Sequence, residues 1–111
     1  MRHTIDLRRK ATDLQLAGRH REAARLCEQI LEHSPGDAQT ALKLGELRRK
    51  LQDFEGARAA FELAAELYHL DGLEGKAAAA GQVAASLTRL IERQSMPSWW
   101  QRMLLRRRPV G

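Results

Sequence analysis

Four histidines, one cysteine and scattered carboxylates are the side chains of this chain from which metal binding or acid–base and thiolate chemistry would first be sought. His3, His20, His33 and His69 share no metal-ligand spacing, and no HExxH pattern joins any of them to a glutamate. His20 is expected to fill a turn between helices. Cys27 would attack a substrate only as a thiolate, and it stands on an apolar helix stripe, which points to a small core residue. Asp53 and Glu55 fall at a helix start, where carboxylates complement the helix dipole. Gly72 and Gly75 flank Leu-Glu and lack the Lys-Ser/Thr ending of a phosphate loop. The expectation is therefore a chain with no catalytic residue, no cofactor and no metal site, and so not an enzyme.

What remains is the chemistry of charge and aromatic surface. The formal net charge is +5. Residues 1–88 hold 13 Lys+Arg against 13 Asp+Glu, so the excess comes from the six Arg and one Glu of residues 89–111. A basic balance read in bulk would suggest nucleic acid, but here it describes a basic tail on a neutral body, and nucleic acid is not the expected partner. Both tryptophans, Trp99 and Trp100, lie in the same tail.

At 111 residues the chain is one small domain, long enough to bury a core without disulfides; one cysteine allows no internal bridge. The start, MRHTIDLRRK, has no signal-peptide stretch, and no apolar run reaches the ~20 residues needed to span a bilayer. A cytoplasmic setting is expected, with the inner face of the membrane as a surface the tail could touch. Small size and richness in Arg, Ala and Leu point to a bacterial protein.

The elements that position these residues follow a pattern that returns after 34 residues. AGRHREAARLCEQILEHSPGD at 17–37 is echoed by LQDFEGARAAFELAAELYHLD at 51–71. Ala23 matches Ala57, Glu28 matches Glu62, Glu32 matches Glu66, Asp37 matches Asp71 and Cys27 matches Phe61. Leu7, Ala11 and Leu14 mark a first helix over about 5–17, which Gly18 ends. Ala23, Leu26, Cys27, Ile30 and Leu31 mark a second over 20–33, and Pro35-Gly36 is a turn. Asp37 caps a third over 38–51, in whose interior Gly45 implies close helix–helix approach. Asp53 caps a fourth over 54–70, buried through Ala57, Ala60, Phe61, Ala64 and Leu67. Residues 73–94 read as one long capping helix, and a short helix from Trp99 to about Arg108 follows Pro97, with Ser98 and Gln101 at capping-box spacing.

The period, the small residues Ala11 and Gly45 and the stripe Ala57–Phe61–Ala64 resemble the tetratricopeptide repeat, a two-helix unit of 34 residues. Repeat one covers about 4–37 and repeat two about 38–71, with the capping helix completing a domain over 1–94. The segment 95–111 stands apart. The resemblance covers about two thirds of the chain. It departs from the family in its first helices, where Leu7, Leu14, Ala41 and Arg48 stand where aromatics are usual. It implies an all-α helical repeat of the α-solenoid kind, working as a protein-binding adaptor or scaffold. Two repeats are fewer than the usual three, which implies self-association or a partner that completes the stack.

The resemblance also implies a groove lined by the first helix of each repeat. Carried over, its positions are Arg8, Arg9, Thr12, Gln15 and Leu16, then Leu42, Lys43, Glu46, Arg49 and Lys50, extended by Lys76. The set is basic except for Glu46 and favours an acidic peptide or chain terminus. The family's carboxylate clamp is not reproduced, since Thr12 and Lys43 stand where asparagine is expected.

The tail carries a second expected interface: Trp99, Trp100, Met103 and Leu104 are its apolar members, and Arg106, Arg107 and Arg108 its charges. At ~10 residues it is too short to be helical without something to pack on. The first expectation is that it folds back as a cap on its own domain. The second is docking in a partner or another copy of the chain. The third is an anionic membrane, which would make the protein a peripheral tether. A regulatory module whose effector is a separate chain is the remaining alternative.

Overall fold

The computed structural model describes residues 2–106. These form six α-helices and no strand: α1 (Arg2–Leu16), α2 (His20–His33), α3 (Ala38–Lys50), α4 (Phe54–Leu70), α5 (Glu74–Ser95) and α6 (Ser98–Arg106). Successive helices from α1 to α5 pack on one another, which draws the molecule out to 59 × 32 × 23 Å. The all-α repeat architecture is as the sequence predicts.

Local chemistry sets each break. Gly18 (φ 79°), Gln52 (φ 63°) and Gly72 (φ 77°) are left-handed. At all three the same pair of hydrogen bonds closes the preceding helix. The amides of Gly18, Gln52 and Gly72 each donate 3.0 Å bonds to Gln15, Arg49 and His69, and the next amides reach Leu14, Arg48 and Tyr68 at 2.8–2.9 Å. This is the Schellman ending, in which one left-handed residue satisfies two orphan carbonyls. The α2–α3 turn is built differently. Asp37 caps α3 there, accepting from the Thr40 amide at 3.2 Å and the Thr40 hydroxyl at 2.6 Å. Asp53 caps α4 through the Gly56 amide at 3.0 Å.

The core is made of small residues around a few large ones. Ala11, Ala23, Ala24, Cys27, Leu44, Leu47 and Ala60 form one cluster between α1 and α4, with Leu26 and Leu31 half-buried beside it. Phe61, Ala57, Ala84 and Leu87 form another between α4 and α5. A Cβ on Gly45 would lie 2.9 Å from the Phe61 ring, so the absent side chain is what lets α3 and α4 approach. Where an aromatic is usual, Arg48 takes its place by bonding the Gly56 carbonyl and Glu28, each at 3.2 Å. The Cys27 thiol is fully buried, and burial pushes its pKa up to about 11, which confirms it as a core residue.

The cap expected from the tail is not formed by α6. None of the extensive helix contacts involves it, and Trp99 is 57% exposed. The Ala57–Phe61 face of α4 is covered instead by Ala84 and Leu87 of α5. Met96 is extended (φ −73°, ψ 140°), as the residue before a proline tends to be, and the chain leaves α5 there. α6 contains Leu104 and Arg106, whereas Arg107 and Arg108 lie outside the described residues.

Three measurements check this account. Alanine favours a helix interior over glycine by up to ~1 kcal/mol. Gly81→Ala, with nothing within 4 Å of its new Cβ, should therefore gain about that much and raise the melting temperature. Gly45→Ala should instead lose ~1–2 kcal/mol to the clash with Phe61. Relief of the left-handed strain in Gln52→Gly should stabilise by roughly 0.5–1 kcal/mol in chemical denaturation. Finally, the Cys27 thiol should resist a disulfide reagent at pH 8 in the native protein and react at once in denaturant.

Candidate functional site

The odd-numbered helices α1, α3 and α5 line one side of the molecule and form a continuous trough. Its first part lies between α1 and α3, bounded by Arg8, Arg9, Thr12 and Lys43. Its second part lies between α3 and α5, where Phe61 and Tyr68 of α4 form the floor. Gln39, Leu42 and Glu46 belong to both and join them. The second part measures about 330 Å³, enough to seat a side chain or two from an extended segment and too little for a folded element.

The basic side chains of the trough are held in place. Lys43 donates a 2.6 Å hydrogen bond from Nζ to the Thr12 hydroxyl, across from one repeat to the other. The Arg49 guanidinium stands 5.8 Å above the Phe61 ring centre, and the Lys76 ammonium 5.7 Å from that of Tyr68. Both are cation–π contacts that position charge beside apolar floor. Arg8 differs: its guanidinium is paired with Asp37 at 2.5 Å, so its charge is spent within the fold. Burial, helped by Asp37 and Glu46, raises the Tyr68 pKa and keeps its phenol neutral. On the outer surface, Glu74 raises the pKa of His69 by hydrogen bonding across the α4–α5 turn.

Of the positions carried over from the repeat pattern, Arg8, Arg9, Thr12, Leu42, Lys43, Glu46, Arg49 and Lys76 line the trough. Gln15, Leu16 and Lys50 do not. Leu16 ends α1 beside the Gly18 turn and is 82% exposed. The floor residues Phe61 and Tyr68 escaped the sequence reading, which put Phe61 in the core alone. Their signal was available, since residues seven apart lie on one helix face. The histidines and Cys27 are not brought together, and no three candidate metal ligands cluster among the described residues. Trp99, Trp100 and Met103 are exposed on α6 and do not line the trough.

No helix among the described residues is long and apolar enough to cross a membrane. No curated protein matches the sequence. The tetratricopeptide repeat family model matches residues 14–81, more than half of the chain and including both inter-helix turns of the repeats. That family is a protein-interaction fold and as a rule not an enzymatic one. The 34-residue period, the paired helices and the trough along α1, α3 and α5 agree with the match, and the chain belongs to the tetratricopeptide repeat family.

Proposed function

We propose that this chain is a non-enzymatic adaptor whose trough takes an extended, acidic segment of another protein. The observation that carries the reading is the mounting of Arg49 and Lys76 on the aromatic floor of Phe61 and Tyr68. Such an arrangement offers a carboxylate and a neighbouring apolar side chain their two different needs within one residue's reach. Arg9 and Lys43 continue the positive edge toward α1. Holding the cations beforehand lowers the side-chain ordering cost that binding incurs. Glu46, the one carboxylate in the trough, disfavours an unbroken acidic run and favours a segment whose acids flank a neutral or basic residue.

A fluorescently labelled peptide with acidic flanks and a central leucine provides the test. Joint replacement of Lys43, Arg49 and Lys76 by Glu should weaken its binding at least tenfold, about 1.4 kcal/mol or more, at low salt. The melting temperature should change little. Arg8→Gln should lower the melting temperature through loss of the Asp37 pair and weaken the peptide much less than the triple variant does. Equal peptide affinity in the triple variant would place the interface elsewhere.

A further inference from the structure

Two helices of the fold are strongly amphipathic, and only one of them has a partner. α2 turns its apolar stripe, Ala23, Ala24, Cys27 and Ile30, fully into the core. α6 has a comparable segregation of apolar and polar residues, yet Trp99, Trp100 and Met103 are 57%, 38% and 38% exposed. The helix is not apolar as a whole, because Ser98, Gln101, Arg102 and Arg106 make up nearly half of its nine residues. Sharp segregation in a helix of mixed composition suits a protein core, as in α2, or, where no such face is covered, a membrane interface.

Charge selects among the occupants. Residues 96–111 contain Arg102, Arg106, Arg107 and Arg108 and no Asp or Glu. A second copy docking α6 into the trough would bring these arginines against Arg9, Lys43, Arg49 and Lys76. Like charges meeting there would oppose the contact. A protein partner would also have to place a carboxylate against each of these arginines. An anionic lipid surface asks for less. Its potential attracts every arginine without requiring an individually placed carboxylate, and its headgroup region is where tryptophan is enriched. The two indoles are edge-to-face with centroids 5.7 Å apart, forming one compact wedge. The break at Met96-Pro97 separates this helix from α5, so it can lie on a surface without disturbing the stack.

We infer that α6 docks the protein on anionic phospholipid surfaces, with Trp99, Trp100 and Met103 at the headgroup boundary and the arginines on the phosphates. This site is independent of the trough, and either can fail without the other.

The full-length protein reports on its own docking, because Trp99 and Trp100 are the only tryptophans of the chain. Vesicles of phosphatidylcholine with about a third phosphatidylglycerol should shift its Trp emission to the blue, and high salt should reverse the shift. Vesicles of phosphatidylcholine alone should leave it unchanged. Arg102→Gln with Arg106→Gln should weaken sedimentation with the anionic vesicles about tenfold or more, while helical circular dichroism and melting stay as in the parent. Absence of a shift on anionic vesicles would overturn the inference. So would an equal, salt-insensitive shift on neutral vesicles. A shift that appears with rising protein concentration alone would mean that a second copy is the occupant. An equal response to heparin would mean a general polyanion site and no lipid docking.

Discussion

The contact between Gly45 and Phe61 is the constraint on which the rest of the structure depends. A 2.9 Å approach of the Phe61 ring to the place a Cβ would occupy brings α3 and α4 together more closely than any side chain at 45 would permit. Small residues continue that approach on both sides, through Ala41 on α3 and Ala57, Ala60 and Ala64 on α4, all buried. With the helices this close, the Phe61 ring serves two purposes. It packs with Ala84 and Leu87 to seat α5, and it forms part of the floor of the trough. The Arg49 guanidinium can then stand over the same ring. Core and candidate site are thus one piece of packing, and a cavity at Phe61 would disturb both.

Polar contacts fix the relation between repeats with the same economy. Asp37 caps α3 through Thr40 and also receives Arg8 from α1, so the start of repeat two is tied to the first helix of repeat one. Arg48 reaches Glu28 on α2 and the Gly56 carbonyl on α4, tying three helices in a place where an aromatic would have packed. Hydrogen bonds to charged groups contribute more than neutral ones when partly buried, as the Arg48 bond to the Gly56 carbonyl is; the Arg8 pair is solvent-screened. Acidic side chains recur on the exposed faces of α2 and α4 at equivalent repeat positions, Glu28 with Glu62 and Glu32 with Glu66. The cations of the trough lie on α1, α3 and α5. Charges that cancel in the body's total are therefore sorted by helix.

α5 and α6 differ in apolar bulk, and their burial runs opposite to it. α5 is rich in alanine and places Ala80, Ala84 and Leu87 against α4, so a helix with little apolar bulk is buried because its partner face is close. α6 carries much larger apolar side chains and remains exposed. Hydrophobic content alone does not decide burial; an available surface does.

The sequence by itself determined the helix count, nearly every boundary, the repeat register and the core identity of Cys27. All of these are local or periodic. Gly18, Pro35-Gly36, Asp37 and Asp53 act within a turn of where they stand, and a 34-residue period maps one packing solution onto the next. The left-handed Gln52 was not read from the sequence, since a glutamine side chain does not announce a positive φ. Tertiary structure alone decided what the groove is made of. Gln15, Leu16 and Lys50 are not among the residues that line its two parts. Tertiary structure added Phe61 and Tyr68, because a residue of a rear helix reaches the groove only where the front helices part. It also paired Arg8 with Asp37, 29 residues away in sequence. No pattern within one repeat records such a pair, since it exists only when two repeats are stacked.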